Sequence, residues 1–148
     1  MRSTVFFTLA MAGVLLAGCS TTGGGSSGAL AMLPDTGKSE TASESAIVEA
    51  MHGGIISSVA GSSLSGRDAR RAIVAEYTAL ETAPVGQSVN WTNERSGVSG
   101  KVEAAQPYQV GSQNCRQYTH TVSGLGAAPV VARGTACRAE NGAWTPLT

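Results

Sequence analysis

Two alternating stretches, residues 114–123 and 130–138, flank the turn-forming run GLGAAP, and each carries a cysteine at the end remote from the turn. If this hairpin turns symmetrically about Gly126, residues whose numbers sum to 252 face one another, and Cys115 falls opposite Cys137. Directly opposed α-carbons in an antiparallel pair lie about 4.5–5.5 Å apart, within the reach of a disulfide. Closing a loop of roughly 20 residues is worth about 3 kcal/mol in the chain-entropy model. Metal binding is the weaker alternative, because no CxxC or His-x-x-His spacing accompanies the two thiols. The same register puts Tyr118, His120, Val122, Val130, Ala132 and Ala136 on one face and Gln117, Thr119, Thr121, Arg133 and Thr135 on the cysteine face. The first face is the apolar one, so a helix should cover it.

That helix is expected over residues 67–83. Ser65 and Asp68 have capping-box spacing, Pro84 closes the segment, and Ala69, Ile73, Tyr77 and Leu80 form an apolar stripe. Arg67, Arg70 and Arg71 lie elsewhere on it, as a solvated face or as an attractor for acidic lipid or peptidoglycan. After Pro84 the pattern alternates, with candidate strands at 88–92, 97–105, 114–123, 130–138 and 143–146. Asn141-Gly142 is a tight-hairpin signal between the last two. The fold class is therefore α+β: short helices followed by a small antiparallel sheet of about five strands, closed by one disulfide. A sparse aromatic content, 5% of 148 residues, argues against a large core.

Upstream, residues 44–64 place Ile47, Met51, Ile55 and Val59 four apart, on one side of a helix that Gly53-Gly54 weakens. Glu49 and His52 interrupt its apolar stretch, which is too short to cross a bilayer. An interfacial or partner-packing helix is the expectation. Residues 19–43, with GGGSSG and LPDTGKSETAS, read as a flexible linker whose apolar cluster is Leu30, Met32 and Leu33.

The N-terminus has the form of an export signal: Arg2, then an apolar and small run of about a dozen residues from Val5 to Leu16. Leu16-Ala17-Gly18-Cys19 resembles the bacterial lipobox, which implies cleavage after residue 18, a diacylglyceryl group on the Cys19 sulfur and an acyl chain on its amino group. Two or more acyl chains at about 0.8 kcal/mol per buried CH2 anchor a protein firmly. Ser20 follows where Asp usually directs inner-membrane retention, so the resemblance implies sorting to the outer membrane. Export also places Cys115 and Cys137 in an oxidising compartment. Losing Arg2 leaves nine basic against ten acidic side chains, a balance that argues against nucleic acid as a partner.

The blocks WTNERSGVSGKV, NCRQYTHTV and ARGTACRAENGAW resemble the C-terminal domain of the 17-kilodalton surface antigen family of bacterial outer-membrane lipoproteins. The matching elements are Trp91, residues 96–102, 115–122 and 134–138, and Asn141 to Trp144. The family commonly carries a long glycine zipper ahead of this domain, and here that feature is reduced to Gly53 to Gly61.

No nucleophile elbow, phosphate loop or paired-carboxylate motif is present, and His120 has only threonines beside it, so an enzyme is not expected. The reading is a non-catalytic outer-membrane lipoprotein with a structural or interaction role, without metal or cofactor beyond the lipid on Cys19. Its partners would be the membrane and another envelope protein or peptidoglycan. Trp91, Lys101, Arg116, Tyr118, Arg138 and Trp144 are the candidate interaction residues, although both tryptophans suit a core and Tyr118 suits one with its hydroxyl at the rim. Arg116 and Arg138 should be solvated or paired with Glu103 or Glu140. The alternative function is a lipoprotein inhibitor of lysozyme-like hydrolases, offering Ser96, Ser99 and Lys101 from a loop to an acidic active site.

Overall fold

The computed structural model describes residues 36–147, with side chains from Ser43 onward apart from Ser62. The signal segment, Cys19 and the cluster Leu30, Met32 and Leu33 lie outside the described residues. Three helices come first, α1 (Thr36–Ala50), α2 (Ile56–Ala60) and α3 (Gly66–Thr82), with a 3-10 turn at Gly61–Ser63. Helix α1 thus takes in the last residues of the expected linker. The single helix expected over 44–64 is broken, because His52, Gly53 and Gly54 all adopt positive φ (47°, 91° and 66°). The break folds the segment back onto the rest of the molecule. Met51, Ile55 and Ile56 are buried, while Val59, the fourth member of the stripe, is 51% exposed. Among the described residues no helix is long and apolar enough to cross a membrane.

Helix α3 begins as its capping residues require: Ser65 is the N-cap, its hydroxyl accepting from the Asp68 backbone N–H at 3.4 Å and donating to Asp68 Oδ2 at 2.6 Å. The buried face is rotated from the expected stripe. Ala72, Ile73, Ala75, Ala79 and Leu80 are buried together with Asp68 and Glu76, whereas Ala69 and Tyr77 are only partly covered. The small alanines let α3 lie close to the sheet, and the two acids enter with them.

Six strands follow, one more than expected: β1 (Ser88–Asn93), β2 (Val98–Ala104), β3 (Tyr108–Val110), β4 (Gln113–Ser123), β5 (Val130–Arg138) and β6 (Trp144–Pro146). All pairings are antiparallel, in the order β1-β2-β4-β5-β6, with β3 continuing the lane of β2 along the first residues of β4. The short strand β3 lies in the run PYQVGSQ, where Pro107 and two turn residues hide a three-residue ladder. The register between β4 and β5 runs from Cys115↔Cys137 to Val122↔Val130, so every pair sums to 252 as expected. Cys115 and Cys137 are joined in a disulfide.

Inward from the sheet point Trp91, Val98, Val102, Ala104, Tyr118, His120, Val122, Ala132 and Ala136, which meet α3, α2 and the α1–α2 turn in one core. The outward face carries Asn90, Thr92, Ser99, Lys101, Glu103, Gln117, Thr119, Thr121, Arg133 and Thr135, none of them buried.

Candidate functional site

The most distinctive chemistry lies inside. Glu76, in the middle of α3, has no solvent exposure, and neither has His120 on β4. Four donors converge on the Glu76 carboxylate. The backbone N–H groups of Ile55 and Ile56 donate to Oε2 and Oε1 at 3.0 and 3.1 Å. The Tyr118 hydroxyl donates to Oε2 at 3.3 Å, and His120 Nδ1 lies 2.8 Å from Oε1. On the far side of the imidazole, Trp91 Nε1–H donates to His120 Nε2 at 2.9 Å. Indole nitrogen is a donor only, so Nε2 must accept and the proton of the neutral ring sits on Nδ1, aimed at Glu76. The tautomer is assigned from this network. One carboxylate thereby ties α3 to β1, to β4 and to the α1–α2 turn.

Small residues make room for it. A Cβ on Gly54 would sit 2.3 Å from Glu76 Oε2, and the positive φ there already favours glycine. A Cβ on Gly100 would strike the Trp91 indole, 2.4 Å from Nε1. Burial and the neighbouring Glu76 charge together push the Tyr118 phenol well above its ordinary range. Tyr118 is therefore a hydrogen-bond donor locked in the core, and the expectation that its hydroxyl reaches the rim is corrected.

A second buried acid secures the start of α3. Asp68, 2% exposed, accepts from Ser65, from Asn93 Nδ2 at 2.5 Å and from Ser96 Oγ at 3.0 Å, which pins the β1–β2 turn to the helix. Burial by itself raises its pKa, but the hydrogen bonds from Ser65, Asn93 and Ser96 and the Arg71 charge outweigh it and hold the group below its ordinary value.

Arg116 secures the other end, and here the expectation of a solvated or Glu-paired arginine is overturned. The side chain is buried, with Nη1 donating to the carbonyls of Ala79 (3.1 Å) and Leu80 (2.8 Å), Nη2 to Ala83 (3.1 Å) and Ala104 (3.5 Å), and Nε to Ala105 (2.9 Å). The Leu80 carbonyl has no i+4 donor, since residue 84 is proline, and Ala83 is the C-cap of α3, where the negative end of the helix favours a cation. A residue from β4 thus caps α3. Burial depresses the guanidinium pKa. Arg138 also pairs differently from expectation: Nη2 donates to Glu81 Oε2 at 2.7 Å, with the guanidinium carbon 4.8 Å from the Trp144 ring centroid. Trp144 Nε1 donates to the same oxygen at 2.9 Å. The Arg138 hydrogen bond is the main cause holding Glu81 below the usual carboxylate range, against opposing burial.

Of the six candidate interaction residues, Trp91, Arg116, Tyr118 and Trp144 are thus buried scaffold. Arg138 is partly exposed, and Lys101 stands in the open, paired with Glu103 at 2.9 Å. Ser96, Ser99 and Lys101 do not form one loop: Ser96 occupies the β1–β2 turn with its hydroxyl on Asp68, while the other two are strand residues of β2. No buried side-chain polar atom lacks a partner among the described residues, and no cluster of three or more metal-ligating side chains occurs there. Glu76 was missed by sequence reasoning, although it shares a face with Ala72, Ala79 and Leu80. Arg116 had a signal too, since the register puts it beside Tyr118 on the inward face.

Residues 78–145 match the 17 kDa outer membrane surface antigen family. The resemblance read from the three sequence blocks is borne out over this C-terminal domain. Similar proteins include the 17 kDa surface antigen of Rickettsia bellii, 39% identical over 85 residues that span 57% of this chain and 53% of that protein. Those of Rickettsia conorii and Rickettsia rickettsii are each 40% identical over 79 residues, 53% of this chain and 49% of theirs. The chain spans about half the length of the curated relatives it matches. No solved structure matches it. The family match starts at Thr78, two residues after Glu76, so the hub joins the matched domain to the helices ahead of it.

Proposed function

We propose that this protein is a non-catalytic outer-membrane lipoprotein of the surface antigen type, held at the membrane by acyl chains on Cys19 and carrying a small disulfide-closed domain. The observation that carries this reading is the pairing of a run at Leu16 to Cys19 that resembles a lipobox with a C-terminal domain matched to an outer membrane surface antigen family. A non-catalytic role is supported by the interior. His120 and Glu76, the buried acid–base pair, are sealed from solvent with both imidazole nitrogens and both carboxylate oxygens already engaged. A general base needs access to the proton it removes, and this one has none. The domain then acts as a rigid body that structures the envelope or contacts another envelope component or peptidoglycan. Radiolabelled palmitate should incorporate into the parent protein and not into Cys19→Ser, and the variant should leave the membrane fraction. Deletion of the protein should alter detergent sensitivity, and an unlabelled, freely soluble parent protein would overturn the reading.

A further inference from the structure

Arg67, Arg70 and Arg71 are exposed on α3 at positions i, i+3 and i+4, so three like charges crowd one helical face. They also occupy the first turns of the helix, where the macrodipole disfavours cations. Among the described residues none of them forms an ion pair, and only Arg71 is tied down, its Nη1 donating to the Thr92 carbonyl at 2.5 Å. By contrast, Lys101 and Arg138 are ion-paired and Arg116 is spent on carbonyls. Apart from the Arg71 charge near Asp68 and its bond to Thr92, the fold gains little from the triplet, which is the pattern of residues kept for a ligand.

The triplet borders a groove of about 500 Å³ between α3 and β1, where Val74 and Val89 are partly exposed over the buried Ala75 and Trp91, and Thr78, Asn90 and Thr92 add polar groups. A second hollow lies on the other side of Arg67 and Arg71 and adds Arg95 from the β1–β2 turn. Two carboxylates share the surface, Glu44 on the first hollow and Glu94 on the second, and Asp68 beneath is saturated by its own donors. Four arginines against Glu94, which is exposed, and Glu44, which is half-buried, leave the rim cationic beside the apolar patch of Val74 and Val89.

We propose that this groove binds a phosphate-bearing lipid, with the headgroup on Arg67, Arg70 and Arg71 and hydrocarbon against the partly exposed Val74 and Val89. A soluble phosphate ester would leave Val74 and Val89 wet, whereas a lipid covers them with hydrocarbon. Choosing a lipid rests on the lipoprotein reading above. Such a contact would dock α3 on the headgroup layer and fix the orientation of the domain.

The test uses the chain from residue 19 carrying Cys19→Ser, so that it does not depend on acylation. Cosedimentation with phosphatidylcholine vesicles containing a third phosphatidylglycerol should exceed that with phosphatidylcholine alone and fall with added salt. At about 1 kcal/mol per basic residue near an anionic surface, Arg67→Gln with Arg70→Gln should weaken binding about tenfold or more, with an unchanged circular dichroism spectrum. Arg133→Gln, on the outward sheet face, should bind as the parent does. Equal binding to both vesicles, or undiminished binding by the double variant, would overturn the proposal. So would displacement of the vesicles by glycerol phosphate at the same concentration as the lipid, which would leave the apolar patch without a role. Failure of palmitate labelling would leave these measurements intact.

Discussion

Along β4 the side chains alternate between two environments that use polarity in opposite ways. Arg116, Tyr118 and His120 point inward and are buried, each with specified partners. Gln117, Thr119 and Thr121, one step away on the same strand, point outward and are not buried. A polar group in the open exchanges one hydrogen bond with water for another, at little net gain or loss. An enclosed group left without its partner costs the full desolvation penalty. The inward face therefore specifies how α3 and the α1–α2 turn sit on the sheet, and the outward face specifies only that it stays wet. The disulfide is the exception on the outward face, since Cys115 and Cys137 are buried there.

The contrast can be broken most directly at the hub. Glu76→Ala strands the Ile55 and Ile56 N–H groups, the Tyr118 hydroxyl and His120, and should lower the unfolding free energy by about 3–5 kcal/mol in urea titration. A loss below about 1 kcal/mol would mean that water serves these groups equally well. Replacing both Cys115 and Cys137 by Ser opens a loop with a sequence separation of 22 and should cost about 3 kcal/mol under the same assay.

Asp68 sharpens the comparison through pH. Its folded pKa lies below the ordinary value of about 3.9, so the folded state binds fewer protons than the unfolded chain. The stability it contributes is complete above that value and is lost as pH falls through the folded one, and Glu81 acts in the same direction. Thermal melts should therefore drop from about pH 4 downward. Asp68→Asn should flatten that drop and cost about 1–3 kcal/mol at neutral pH. On the outward face, Thr119→Ala and Thr121→Ala should each change stability by about 0.5 kcal/mol or less. A larger loss from either would mean that the outward face is covered in the native protein.

Much of the scaffold was legible in the residues because the signals are local. Ser65 and Pro84 bracket α3, the alternation after Pro84 marks five of the six strands, and the symmetric turn about Gly126 places one cysteine opposite the other. The short strand β3 escaped because three residues carry too little alternation to be read. The positive φ of His52 escaped as well, and with it the fold-back that brings Ile55 and Ile56 to Glu76. Nothing in spacing links Glu76 to donors 20 to 44 positions away, or Arg116 to carbonyls 36 and 37 positions before it.

What the amino-acid order determined alone is the strand register and the side of the sheet on which each residue falls, because a period of two leaves no freedom once the turn is placed. Which charges end up enclosed was decided only in three dimensions. A carboxylate or guanidinium is tolerated in a core solely when donors or acceptors from separate elements arrive to meet it, and their arrival is a property of packing.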